Sequence, residues 1–154
     1  MHLYLIRHGE CEDYGKTDAD RALTADGAKA VDKMARHVAT LPEKPALLFS
    51  SPYLRALQTA DYFEKTWGLK KQTAPWLVPG SGASEVVEAL QSVGEKEAAL
   101  IGHLPNLGLV LSAFLWGLPP RELVIPRGGV ALLKLKSWEA GTAKLEWLLT
   151  PDSF

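Results

Sequence analysis

Cysteine is almost missing from this chain: Cys11 is the only one in 154 residues. A single thiol cannot close an internal disulfide, so a reducing cytoplasm is the expected setting. Long apolar runs are missing too. No stretch approaches the ~20 residues a helix needs to cross a bilayer, and the first residues lack the basic, apolar and small-residue succession of a secretory leader. No membrane partner is expected. Neither sign of charge is in excess, with 17 Lys and Arg against 18 Asp and Glu and a formal net charge of −1. That balance excludes the broad basic footprint that nucleic-acid binding requires. Any anion must be held by a few placed cations rather than by a field. Internal repeats, low-complexity tracts and linker-like stretches are also lacking.

What is present is a globular composition, 47% hydrophobic and 23% charged. It suffices for one sizeable core, so residues 1–154 are expected to form one domain. "HLYLIR" (2–7), "ALLFS" (46–50) and "EAALIGH" (97–103) are short continuous apolar runs, as expected of central strands covered on both faces. Between the first two, residues 23–41 carry Ala28, Val31, Ala35, Val38 and Leu41 at helical spacing, with Thr24 placed as N-cap and Asp26 in the first turn. Residues 51–68 read as a second helix, with Pro52 suited to its first position and Gly68 to its exit. Residues 84–94 and 104–117 read as two more, and "APWLVPGSGASE" (74–85) as a loop. The tail differs: 128–138 and 143–151 read as a hairpin. This alternation predicts an α/β/α sandwich with a mostly parallel sheet and an antiparallel edge strand.

Three of the expected strands end in conspicuous polar residues, and in an open α/β sheet ligands bind at the carboxyl ends of the strands. The first runs into Arg7-His8-Gly9-Glu10, the second into Ser50-Ser51-Pro52 with Arg55 just beyond, and the third into Gly102-His103. Taken singly each has an ordinary explanation, since strand-end histidines and helix arginines are common surface residues. His2 and His37 are read that way. His8 differs because Gly9 permits close backbone approach and Arg7 sets a fixed cation beside it. Arg55 lies where a helix start already favours an anion. Two histidines and two arginines at one sheet edge describe a phosphate cradle with a nucleophile. A metal site built from His8, His103, Glu10 and Cys11 is the competing reading; the arginines oppose a cation there, and the spacing fits no zinc signature.

"RHGE" after the first strand, "SSPYLRALQTA" (50–60) and "GHLP" (102–105) resemble the signature blocks of the histidine phosphatase superfamily. With "RALTADG" (21–27) and "GHLPNLG" (102–108), the chain is most similar to SixA-type phosphohistidine phosphatases. The resemblance implies a phosphoglycerate mutase-like fold and a phosphatase that hydrolyses phosphohistidine on proteins with no cofactor and no metal. His8 would be the nucleophile, and Arg7, Arg55 and His103 would hold the phosphoryl oxygens. Arg21 would extend the substrate contact, while Gly9 and Glu10 would shape its surroundings. The implied partner is a phosphohistidine-bearing protein such as a histidine-phosphotransfer domain, and a monomer is expected.

Relatives that cleave phosphate esters carry a carboxylic acid in a longer segment after the second motif. Here that region is "LVPGSGASEVVE" (77–88), short and poor in acids, with Glu85 and Glu88 equally suited to a helix start. A phosphoramidate needs less help in leaving than an alkoxide, so the missing acid favours phosphohistidine. The enzyme alternative is a phosphatase for a small phosphate ester or nucleotide using Glu85. The non-enzyme alternative is a phosphoprotein-binding module, for which a nucleophile would be superfluous. A mutase would require a lid, and no insertion is long enough to form one. Cys11 is read as incidental. Most of Trp67, Trp76, Trp116, Trp138 and Trp147 are expected in the core.

Overall fold

The runs that are apolar at consecutive positions lie where both faces of a sheet are covered. The computed structural model describes residues 1–94 and 96–154. β1 (His2–Arg7), β2 (Leu47–Ser50), β3 (Lys71–Thr73), β4 (Glu97–Gly102), β5 (Val130–Leu135) and β6 (Ala143–Leu149) pair in the order β3-β2-β4-β1-β5-β6. β3, β2, β4 and β1 are mutually parallel, and β5 is antiparallel to both β1 and β6. The reversed strand is therefore β5, one place in from the edge, and the edge strand β6 again points the way of β1.

Alternation along β1 divides the core. Leu3 and Leu5 pack with Leu100 and Leu133 toward α3 (Ala83–Gln91) and α4 (Asn106–Trp116). Tyr4 and Ile6 pack with Ile101 and Leu132 toward α1 (Ala25–Ala39) and α2 (Leu54–Trp67) on the other face. The result is the expected three-layer sandwich. The Thr24 hydroxyl accepts the Gly27 amide at 2.9 Å and caps α1, and Gly68 ends α2 with φ of 68°. Pro52, by contrast, is not the first helical residue. Tyr53 is the N-cap and α2 opens at Leu54.

Two further expectations change. The segment 74–85 is only partly loop: Pro75–Leu77 is a 3-10 turn with Leu77 fully buried, and α3 already begins at Ala83. Among the tryptophans only Trp138 is buried, while Trp67, Trp76 and Trp147 flank the core and Trp116 is 66% exposed. Among the described residues no helix is long and apolar enough to cross a membrane.

The helix placement locates the site. β1 and β4 are neighbours, yet the chain leaves β1 toward α1 on one face and leaves β4 toward α4 on the other. Such a reversal opens a crevice at the carboxyl ends of the two strands.

Candidate active site

His8 and His103 stand at that crevice. The His8 amide donates to Gly102 O at 3.1 Å and the Ser51 amide to Ile101 O at 2.9 Å, so the ends of β1, β4 and β2 are tied side by side. The two imidazoles face each other with ring centroids 5.2 Å apart, and both are nearly fully buried. His8 Nδ1 lies 2.7 Å from Gly9 O. A carbonyl can only accept, so Nδ1 carries the hydrogen and the lone pair resides on Nε2. Burial, and then the positive charges of Arg55, Arg7 and Arg127, bring the His8 pKa down to about 4 against the raising effect of the Gly9 carbonyl. At neutral pH His8 is thus a neutral imidazole with a fixed tautomer.

His103 is neutral for the same reason: burial first, then His8 and Arg55, take its pKa down to about 3. Its Nε2 meets the Ser51 hydroxyl at 2.7 Å, and that hydroxyl also accepts the Tyr53 amide at 3.2 Å. His103 Nδ1 is buried with no protein partner, as is Arg7 Nε. Buried polar atoms without partners are uncommon, and two of them on residues beside His8 suit an incoming anion.

The cations come from three directions. Arg7 at the end of β1 donates from Nη1 to Ile125 O at 3.0 Å, and its pKa is depressed by burial and then by Arg127. Arg55, the second residue of α2 and only 5% exposed, donates from Nη1 to Asp18 O at 2.7 Å and meets Asp18 Oδ2 at 3.3 Å. Its guanidinium also covers the Tyr53 ring at 5.2 Å. Arg127 precedes β5 on a loop whose Gly128 amide donates to His8 O at 3.0 Å. Crowding of like charges around neutral histidines is what a phosphoryl dianion would relieve.

Residues 9–24 form an arm beside this cluster, closed by the Cys11–Leu23 bridge and the Glu12 N–Ala22 O bond. Arg21 lies on it and donates to Glu12 O, to Asp18 Oδ1 at 2.9 Å and to Cys11 Sγ at 3.4 Å. It is connected to Arg55 through Asp18. Glu10 Oε1 accepts the Thr24 hydroxyl at the start of α1. Gly9 is required by packing, since a Cβ there would stand 2.6 Å from Val31 Cγ2 of α1. The close approach is to a helix. Its amide donates to Thr59 Oγ1, which in turn donates to Arg55 O.

Glu85 does not converge on the histidines through any of these bonds. It accepts the Gly82 amide at the start of its own helix, and Glu88 lines a cleft with Ser84, Gln91 and Glu139. Among the described residues no three His, Cys, Asp or Glu side chains gather as a metal site needs. Sequence reasoning missed Asp18, Thr59 and Arg127, and noticed Ser51 without giving it a task. Of these, only Arg127 carried a signal, a cation beside Gly128-Gly129 ahead of an apolar strand.

Known proteins of the same build frame this arrangement. Residues 3–78 match the model of the histidine phosphatase superfamily (branch 1). Phosphohistidine phosphatase SixA of Escherichia coli is 25% identical over 98% of this chain and 94% of its own. An uncharacterised protein of Picosynechococcus is 28% identical over 95% of this chain and 89% of its own. The solved structure of the protein histidine phosphatase SixA complexed with tungstate superposes with a TM-score of 0.87 at 24% identity, over 99% of this chain and 98% of that one. The matched segment carries the Arg7–Gly9 turn and the Arg55 helix start, and β4 brings His103 to meet them: the chain belongs to the histidine phosphatase superfamily.

Proposed function

We propose that this chain is a phosphohistidine phosphatase acting on a phosphorylated protein through a phosphoenzyme at His8. The observation that carries the reading is the His8 Nδ1–Gly9 O bond, which leaves a neutral Nε2 among arginines. Nε2 attacks phosphorus, the bond from phosphorus to the substrate nitrogen breaks, and the electron pair returns to the departing ring. Arg7, Arg55 and the Nδ1–H of His103 hold the phosphoryl oxygens while charge builds on them. Water then attacks the phosphohistidine of the enzyme and releases phosphate, returning His8 to its neutral form.

The substrate class is supported by two features. Relatives include SixA proteins, one of them matched over 98% of this chain, and Glu85 is engaged by its own helix start rather than offered to a leaving oxygen. Alkoxide leaving groups lose roughly 10²–10⁴-fold without a general acid. The partner in this reading is a histidine-phosphotransfer domain in the cytoplasm, met by a monomeric enzyme that calls on arginines rather than a metal. Phosphate release from such a domain, beside an alkyl phosphate ester, tests it in wild type and His8→Ala. Fast loss of phosphohistidine, slow ester turnover and an inactive variant without acid-labile phosphoenzyme are expected. Ester turnover without phosphohistidine turnover would overturn the substrate class.

A further inference from the structure

A phosphoryl site ringed by arginines holds one unexpected acid at its mouth. Asp18 lies in the 3-10 turn Asp18–Asp20 of the arm, with Oδ1 on Arg21 and Oδ2 on Arg55, and its side chain is 55% exposed where Arg55 is 7%. Its charge acts on His103 in the opposite sense to Arg55 and Arg7. A carboxylate in that position weakens attraction for the phosphoryl dianion, and the shorter contact that anchors Arg55 is to the Asp18 main-chain oxygen at 2.7 Å, so holding Arg55 does not by itself require an acid side chain. Its two oxygens offer about four acceptor positions, and the arginine side chains occupy two of them. The remainder have no protein donor among the described residues, and the half-exposed side chain leaves them open to one from a ligand.

The leaving group supplies the reason. Phosphohistidine carries the phosphoryl group on one ring nitrogen, and the other nitrogen can hold a proton. With that proton in place, cleavage of the P–N bond returns the electron pair to the ring and releases neutral imidazole. Without it, the ring must leave as imidazolate. We propose that Asp18 is a specificity-determining residue, its carboxylate accepting the ring N–H of a protonated phosphohistidine and repelling anionic leaving groups. The proposal rests on the phosphohistidine reading above.

The test compares kcat/KM for a phosphorylated histidine-phosphotransfer domain and for p-nitrophenyl phosphate, from pH 6 to 8.5, in wild type, Asp18→Asn and Asp18→Glu. At pH 8, Asp18→Asn should lower phosphohistidine turnover about tenfold more than aryl-ester turnover, the scale of one partly screened charge contact, because any slackening of Arg55 falls on both substrates alike. The deficit should shrink toward pH 6, where the substrate takes its proton from solvent, and Asp18→Glu should restore most of it. Urea midpoints close to that of wild type at pH 8 check that the variants are folded. Equal losses on both substrates at every pH, or no loss on either, would overturn the proposal and leave the phosphohistidine reading standing. A wild type that hydrolyses the ester but never phosphohistidine would overturn that reading, and this proposal with it.

Discussion

Ser51 shows how a small residue can decide what a histidine does. Its hydroxyl accepts the Tyr53 amide and keeps one hydrogen to give; with that hydrogen donated to His103 Nε2, the ring proton resides on Nδ1, the buried atom without a partner and the tautomer that an incoming phosphoryl oxygen requires. His103 is thereby a donor aimed by its neighbour. Replacing His103 by Ala should cost about 10²–10³-fold in kcat, the scale of one lost transition-state donor. Ser51→Ala, which leaves the ring but releases its tautomer, should cost about tenfold, and the double variant should fall no further than His103→Ala alone. Full additivity of the two losses in single-turnover rates would show that Ser51 acts independently of His103. This dependence was not legible in the sequence. His8, Arg7, Arg55 and His103 stand out because a cation or imidazole is conspicuous beside an apolar strand. Ser51, Thr59 and Asp18 are ordinary residues of a strand end, a helix and a loop. Their tasks come from partners distant in sequence: Ser51 and His103 are 52 positions apart, and Asp18 and Arg55 are 37.

At the scale of elements, the arginine cluster depends on how α4 seats the loop that follows it. Gly108, in the first turn of α4, lies against the main chain of Leu123, so a Cβ at 108 would overlap the Leu123 carbonyl oxygen. Two residues later Ile125 O takes the Arg7 guanidinium, and two further on stands Arg127. Gly108→Ala must push backbone away from backbone, which no rotamer change can absorb. It should cost about 1–3 kcal/mol of stability, as overpacking does. It should also raise KM more than it lowers kcat, because Arg7 loses its anchor while His8 keeps Gly9. Urea unfolding and steady-state kinetics on one preparation read both; a normal KM with lost stability would separate the loop from the site. Which elements the sequence announced follows the same logic of local against distant contacts. β1, β2 and β4 are apolar at nearly every position because both their faces are covered, and α1 announces itself by spacing and its Thr24 cap. β3 is Lys-Gln-Thr, three polar residues at a sheet edge that pair only because β2 lies beside them. Pro52 suited a helix start by type, but Tyr53 holds the cap and its amide is tied to Ser51.

For the whole molecule, the site carries a pH-dependent cost to folding whose sign is fixed by burial. His8 and His103 have folded pKa values of about 4 and about 3, against 6.5 for an ordinary imidazole. Below pH 6.5 the unfolded chain takes up protons that the folded chain refuses, so protonation draws the equilibrium toward unfolding. Stability should therefore be level above about pH 6.5 and fall as pH drops from 6.5 toward 4, by several kcal/mol in all at about 1.4 kcal/mol per unit of displaced pKa. The two histidines do not contribute independently, since part of the depression of His103 is the charge of His8. Asp18 adds a smaller loss at lower pH, because Arg21 holds its carboxyl below the usual range and protonation there releases the pair. In the proposed reaction the same neutrality leaves the Nε2 lone pair of His8 free in mild acid, so activity of the folded protein should persist at pH 5, where an ordinary histidine would be mostly protonated. Urea midpoints at pH 7.5, 6 and 5 measure the effect, with His8→Gln/His103→Gln as the comparison. Wild type should lose midpoint across this range while the double variant stays nearly flat and becomes the more stable of the two at pH 5. Parallel profiles would assign the acid sensitivity to carboxylates elsewhere. The expected crossing would instead show that two imidazoles kept neutral among arginines are maintained at the expense of acid stability.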